Sequence, residues 1–149
     1  MMSHDDSYRE ALDLALRRLK VKDRFESEVR SFLADFPTDS IERVIRFLKE
    51  RRIIDDTKTT LSLIERYSGK RAIGLEKLRA ELLERGAPEE TISSLLSDHS
   101  EGERERMLTA LTAKFSPGDD ARAKAARFLF SRGFTEDEIE PALDRFFQG

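Results

Sequence analysis

One stretch of the chain resembles a phosphate-binding loop, the segment "SGKRAIG" from Ser68 to Gly74. A Gly-Lys pair that closes a glycine-rich loop can cradle the phosphates of a nucleotide. Such a loop has another glycine five residues earlier and a serine or threonine after the lysine. Here Ile64 and Arg71 occupy those two positions. The sequence therefore argues against nucleotide binding, and we expect no cofactor.

Histidine and carboxylate side chains offer little more for metal or acid–base chemistry. His4 and His99 are the only histidines, and neither has a second ligand at a suitable spacing. Asp55 and Asp56 are adjacent, so they point in different directions on a helix, and no third ligand is near them in sequence. We predict instead that they cap the following helix at the positive end of its dipole. No serine or threonine has an identifiable base, so we expect no metal, no catalytic residue and no enzyme activity.

Basic residues form three clusters. Their members are Arg17, Arg18, Lys20, Lys22 and Arg24, then Arg43, Arg46, Lys49, Arg51 and Arg52, then Arg66, Lys70 and Arg71. The simplest interpretation is a solvated helix face with interleaved acids. However, Arg51 and Arg52 end a predicted helix, whereas Lys70 and Arg71 lie in a predicted loop. The two pairs could converge on one acidic or phosphate-lined surface of a partner, and we predict these four as partner-binding residues.

A recurring stretch indicates which elements position these residues. Its copies are "LADFPTDSIERVIRFL" (33–48), "LLERGAPEETISSLL" (82–96) and "LFSRGFTEDEIEPAL" (129–143), whose turn positions 35, 86 and 133 are spaced 51 and 47 residues apart. Gly86 and Gly133 each follow apolar residues at helical spacing, where glycine can adopt the left-handed conformation without steric cost. Both are predicted helix stops, and Phe134 is predicted to fold back onto the preceding turn. In the first, weaker copy Asp35 replaces the glycine.

The last copy predicts how a helix restarts after such a stop. Thr135 with Glu138 has the pattern of a capping box, in which each residue satisfies a backbone N–H of the first turn. Pro141 lies about six positions into this helix, where proline removes a hydrogen bond at a cost of ~3 kcal/mol. The final helix is therefore predicted either to start near Glu140 or to be kinked.

Apolar residues at helical spacing predict two further helices in each copy, and thus nine helices in three units. The units are residues 1–54, 55–99 and 100–149, with helices predicted at about 7–20, 24–35 and 38–51, then around 61–67, 75–85 and 88–98, then around 107–115, 119–132 and 136–147. No segment alternates as a strand does, and no low-complexity linker separates the units. We therefore predict an all-α, elongated array of three helix-turn-helix-like repeats that stack directly.

Composition sets further limits on the function. The chain of 149 residues has 38% charged residues of both signs and a net charge of −3, which argues against a dedicated nucleic-acid coat or acidic-membrane binder. Its first third has one more base than acid, whereas each later third has two more acids than bases. Cysteine is absent, no apolar run approaches the ~18 residues of a membrane span, and the start "MMSHDDS" lacks a signal-peptide core. We expect a cytoplasmic protein without membrane contact.

Three ordered segments carry a resemblance to a known family. They are "FLKERRIIDD" (47–56), "GLEKLRAELLERGAPEETI" (74–92) and "KAARFLFSRGFTEDEIEPAL" (124–143). In this order they resemble the RecX regulatory proteins, and the match extends over about residues 8–147. The paired aspartates and the closing Arg132-Gly133-Phe134 are its most specific parts.

This resemblance implies a curved array of three-helix repeats that binds the RecA recombinase. Such a protein lies along the groove of the RecA filament on single-stranded DNA and restrains filament growth, ATP hydrolysis and strand exchange, and so modulates recombination, repair and the SOS response. It regulates by binding and catalyses nothing. We expect a monomer that meets RecA directly and single-stranded DNA through the filament.

Two alternatives remain open from the sequence. Stacked helix-turn-helix units could read duplex DNA, although no helix is rich in the glutamine and asparagine that such reading favours. The array could also be a helical scaffold for an unrelated protein. Tight, salt-sensitive duplex binding would distinguish the first alternative from a RecA modulator.

Overall fold

The structure is a computed structural model that describes residues 3–97 and 102–148. In these ranges it contains nine α-helices, one short 3₁₀ helix and no strand, so the predicted all-α class is confirmed. The helices are α1 (His4–Val21), α2 (Glu26–Phe32), α3 (Thr38–Glu50), α4 (Asp56–Arg66), α5 (Leu75–Arg85), α6 (Glu89–Ser97), α7 (Glu103–Lys114), α8 (Arg122–Ser131) and α9 (Glu136–Phe146), with the 3₁₀ helix at Gly69–Arg71. The predicted boundary between the second and third units, with His99, lies outside the described residues.

The buried side chains form three apolar clusters, each built mainly from three consecutive helices. Helix α1 packs against α3, α4 and α5 pack against α6, and α7 and α8 pack against α9. This arrangement is consistent with repeats at 1–54, 55–99 and 100–149. Two residues cross the divisions: Phe25 joins the second cluster and Ala72 joins the third, both with no exposed surface. The first and second repeats therefore each contribute a residue to the core of the next.

The two predicted glycine stops are confirmed. Gly86 has a φ of 101° and Gly133 a φ of 88°, both in the left-handed region that favours glycine. After each glycine the next N–H bonds back across the last turn, from Ala87 to the Leu82 carbonyl at 3.0 Å and from Phe134 to the Leu129 carbonyl at 3.2 Å. This is the Schellman ending, which satisfies carbonyl groups that a helix would otherwise leave free.

The first repeat places its left-handed ending elsewhere. Helix α2 ends at Phe32, earlier than predicted, and Asp35 is not in the left-handed conformation. Instead, α3 ends with Arg52 at a φ of 57°, and the Ile53 N–H bonds to the Leu48 carbonyl at 2.8 Å. Arg52 is the only residue other than glycine with a positive φ in 3–97 and 102–148.

Two details of the last repeat differ from the predictions. Thr135 does precede α9, but its side chain makes no capping bond, and Glu138 Oε2 is buried without a hydrogen-bond partner. The prediction of a capping box is wrong, because the Glu138 side chain faces Glu103 on α7. A start near Glu140 is also wrong, since α9 begins at Glu136 and continues through Pro141. Pro141 is exposed, so water can serve the carbonyl that it leaves unbonded.

Candidate partner-binding surface

The arginine before each turn glycine joins its repeat to the one before. Arg85 Nη2 donates to the carbonyl of Asp23 at 3.3 Å, and Arg132 Nη1 donates to the carbonyl of Ala72 at 3.2 Å. Both carbonyls lie three residues before the middle helix of the preceding repeat begins. The Arg-Gly pair in the two near copies is therefore an inter-repeat clamp as well as a helix ending.

A carboxylate reinforces each of these seams. The Asp56 side chain, at the start of α4, accepts the N–H of Glu26 at 2.9 Å. The Glu103 side chain, at the start of α7, accepts the N–H of Leu75 at 3.2 Å. Burial raises the pKa of both carboxyl groups. Asp55 caps its own helix, as predicted, whereas Asp56 caps the preceding repeat.

The seam between the second and third repeats fixes the loop that carries two predicted residues. The Gly74 N–H donates to the carbonyl of Arg132 at 2.8 Å, and a Cβ at Gly74 would collide with the carbonyl of Gly133. Arg132 Nη1 also donates to the carbonyl of Lys70 at 3.3 Å. Lys70 and Arg71 thus stand exposed on a loop whose backbone is attached to the third repeat.

Further cations gather around this loop. The Arg132 guanidinium lies 4.8 Å from the centre of the Phe128 ring, and Lys114 Nζ lies 4.5 Å from it. Lys124 is one helical turn before Phe128 on α8. We call this set the seam surface; it consists of Lys70, Arg71, Lys114, Lys124, Phe128 and Arg132. None of its five cations forms an ion pair within residues 3–97 and 102–148.

Arg51 and Arg52 lie apart from the seam surface. Both are exposed at the end of α3, with the Arg51 guanidinium 4.4 Å from the centre of the Phe47 ring. They precede α4, whereas Lys70 and Arg71 follow it, and a helix of this length spans about 16 Å. The two predicted pairs would therefore meet a partner at two separate points.

Four of the nine remaining basic cluster members form ion pairs with acids of the same repeat, and they are Arg17, Arg24, Arg43 and Lys49. Arg43 pairs with Asp5 at 3.3 Å, and Lys49 pairs with Glu26 at 3.1 Å. These contacts match the simple interpretation of a solvated face with interleaved charges. The seam surface is distinguished instead by its position at the junction of two repeats, where Lys114 and Arg132 both lie over the Phe128 ring.

Sequence reasoning missed three members of the seam surface: Lys114, Lys124 and Arg132. One signal was present, because Lys124, Phe128 and Arg132 follow one another at four-residue spacing and so share a helix face. Lys114 and the 69–71 loop come close to this helix face through tertiary packing, which the spacing of residues in the sequence does not reveal.

Neither a metal-binding group nor a membrane-spanning helix is present among the described residues. No three His, Cys, Asp or Glu side chains there are placed to hold a metal ion. No helix of that part is long and apolar enough to cross a membrane. The fold defines the class, an all-α protein whose core is divided among three consecutive groups of three helices in the described structure.

Comparisons with known proteins identify the family. No protein-family model matches the chain. It is 31% identical over 150 residues to "Regulatory protein RecX" of Chlorobium phaeobacteroides, covering 97% of this chain and 98% of that protein. It is 32% identical over 134 residues to "Regulatory protein RecX" of Herbaspirillum seropedicae, covering 87% and 86%. The crystal structure of RecX from Lactobacillus salivarius shares the fold, with a TM-score of 0.77 at 20% identity over 97% of this chain and 99% of that one.

The chain therefore belongs to the RecX family of regulatory proteins. The resemblance in its three ordered segments is confirmed.

Proposed function

We propose that this chain binds the RecA recombinase filament and restrains its ATP hydrolysis, extension and strand exchange, without catalysing a reaction itself. Membership of a family of regulatory proteins supports the regulatory role. The observation that carries the proposal is the seam surface, whose five cations have no acidic partner in the described structure and of which two, Lys114 and Arg132, lie over the Phe128 ring. Arg51 and Arg52 provide a second point of contact.

The electrostatics of this surface fit a filament formed on single-stranded DNA. Beyond about 8 Å at physiological ionic strength, exposed charges are largely screened, so a partner responds to local charge more than to the net charge of −3. A groove lined by phosphates and acids would attract the seam surface and orient the chain within it. Phe128 adds a ring face of the kind on which unpaired bases stack.

The decisive experiment measures ATP hydrolysis by RecA on single-stranded DNA while the purified chain is titrated in. We expect the rate to fall as the chain is added. The double variant K70E/R71E should require at least about tenfold more protein for the same effect, because two attractive charges become repulsive. An unchanged hydrolysis rate at saturating wild-type protein would overturn the proposal.

A matched control separates the seam surface from general charge. Arg9 and Arg145 are also exposed and have no ion pair in the part of the chain that the structure describes. The variant R9E/R145E carries the same change in net charge, and it should inhibit as the wild type does. Equal losses in the two double variants would show that the seam surface has no special role.

The proposal also places the chain beside RecA in the cytoplasm, as a monomer that touches single-stranded DNA through the filament. Sedimentation at micromolar concentration should give the mass of one chain. If the chain instead binds duplex DNA tightly at low salt without RecA, a helix-turn-helix DNA-binding protein becomes the better description.

A further inference from the structure

The side of α8 turned away from the seam surface presents an exposed aromatic residue. Phe130 follows Phe128 by two residues, or about 200° around the helix, and is 65% exposed. It is the only aromatic residue among the large exposed apolar residues of the described chain. A ring left in water forgoes the gain that burial would give, so this position favours a partner that covers it.

Phe130 forms one wall of an open groove between α8 and α9. This groove has a volume of about 320 Å³. Its apolar floor comes from Ala126 and Ile139, and the acids Glu136 and Glu140 stand on its rim. A second depression shares Phe130 and Glu136 and continues over the following turn. An apolar floor with an acidic rim is therefore available next to an exposed ring.

In the second repeat a hydrogen bond crosses the place that corresponds to this groove. Positions 47 residues before Ala126 and Glu140 are Arg79 and Ser93, and Arg79 Nη2 donates to Ser93 Oγ at 3.3 Å across α5 and α6. In the third repeat Ala126 has no side chain that could cross, and Glu140 bonds to Arg122 at 2.8 Å instead. The opening is thus a local difference in sequence and not a general property of the repeat.

The charge of the rim selects what can enter. Glu136 and Asp137 form no ion pair among the described residues, and Glu140 shares Arg122 with Asp144, whereas Arg127 is the only base lining the groove. We propose that the Phe130 groove binds an apolar side chain carried by a basic segment of a protein partner. Such a segment would bury its apolar residue against Phe130 and place its lysines or arginines beside the acidic rim.

This inference rests on the proposed function only in naming RecA as the partner. If RecA is the partner, the third repeat would contact the filament through two faces. An anionic part of the filament would bind the seam surface, and a basic segment of RecA with an apolar residue would bind the Phe130 groove. The two contacts need different variants for their tests, so each can fail separately.

The variants copy or remove the feature itself. A126R/E140S transfers the closing pair of the second repeat into the third, and F130S removes the ring. L83S is the matched control, because Leu83 is the equivalent of Phe130 beside the closed groove and is 45% exposed. All of these positions are exposed or half-buried, so circular dichroism and thermal unfolding should match the wild type.

The first measurement uses defined peptides and the full chain. The probes are two helical peptides of about 18 residues, or five turns. One consists of leucine and lysine, and the other consists of leucine and glutamate. Fluorescence anisotropy measures the binding of each peptide. The wild type should bind the lysine peptide at least about tenfold more tightly, and F130S and A126R/E140S should each lose about tenfold or more, with L83S unchanged. Equal binding of both peptides, no binding, or no effect of A126R/E140S would overturn the groove.

The second measurement uses RecA filaments on single-stranded DNA. A126R/E140S should bind the filament about tenfold more weakly than the wild type. If the wild type and A126R/E140S bind filaments equally, the groove fails and the proposed function stands. If the wild type does not bind filaments but shows the expected peptide preference, the proposed function fails and the groove serves another protein.

Discussion

Replacing Arg132 by alanine should loosen the seam that carries Lys70 and Arg71. The side chain donates two hydrogen bonds to carbonyl groups, at 3.2 and 3.3 Å, and its cation lies 4.8 Å from the centre of the Phe128 ring. Each bond is long, so we assign each about 1 kcal/mol, and the ring contact about 0.5–1 kcal/mol. The free energy of unfolding should therefore fall by about 2–3 kcal/mol, which lowers Tm by about 5–10 °C for a chain of this size.

Thermal unfolding combined with amide hydrogen exchange tests this estimate. Exchange should accelerate at the backbone N–H groups of residues 69–74, including Gly74, whose N–H donates to the Arg132 carbonyl at 2.8 Å. Amides of α1 and α3 should keep their wild-type rates, because they lie in a different repeat. Arg127 provides the control, since it is a half-buried arginine of α8, the helix that Arg132 follows, and has no ion pair in the described structure.

The outcome that would refute this reasoning is specific. If R132A melts with R127A and the wild type, and residues 69–74 exchange at the wild-type rate, the clamp contributes nothing. If R132A loosens the loop as expected, its inhibition of RecA should weaken in the same direction as that of K70E/R71E. A loosened loop with full inhibition would separate the seam from function.

Four shorter predictions concern one or two positions each. R52G should raise Tm by about 2–4 °C, because a left-handed arginine costs about 1 kcal/mol that glycine avoids; an unchanged or lower Tm would contradict this. D56A should lose about 1 kcal/mol with its cap to Glu26, whereas D56N keeps the acceptor and should be at least as stable as the wild type at pH 7. Burial raises the pKa of Asp56 and Glu103. The stability that their protonated forms provide is therefore complete below about pH 4 and is lost as pH rises through the raised pKa values. Urea titrations should show a smaller loss of stability over this pH range for D56N/E103Q than for the wild type. G74A should be the most damaging of these changes, since its methyl group would meet the Gly133 carbonyl, and wild-type unfolding would show that the seam can shift to admit it.

Helices and their stops were predictable because they depend on local sequence. Apolar residues at helical spacing and the left-handed glycines specify where a helix runs and ends, and these signals located all nine helices in the described structure to within a few residues. Helix α9 was harder, because Pro141 argues against a continuous helix on local grounds. Pro141 is exposed on the outer side of the helix, so water can replace the backbone hydrogen bond that proline removes. This exposure is set by the tertiary fold and not by the local sequence.

The candidate site was predictable only in part. Lys70 and Arg71 are visible as a basic pair in a loop, but the arrival of Lys114 and Arg132 beside them joins residues more than 40 positions apart. The Phe130 groove could not be predicted from the sequence, because its recognition depends on a contact in the second repeat. There the Arg79 side chain bonds across α5 and α6, and the equivalent residue of the third repeat, Ala126, cannot make this bond.

The Arg-Gly pair distinguishes the second and third turns from the first. Arg-Gly occurs twice in the chain, at 85–86 and 132–133, and each arginine bonds to the repeat in front of it. In the first turn Ala34 with Asp35 occupies the corresponding place. The pair therefore marks a turn that receives a preceding repeat. The pair at 132–133 both ends a helix and attaches the loop that carries Lys70 and Arg71 to the third repeat.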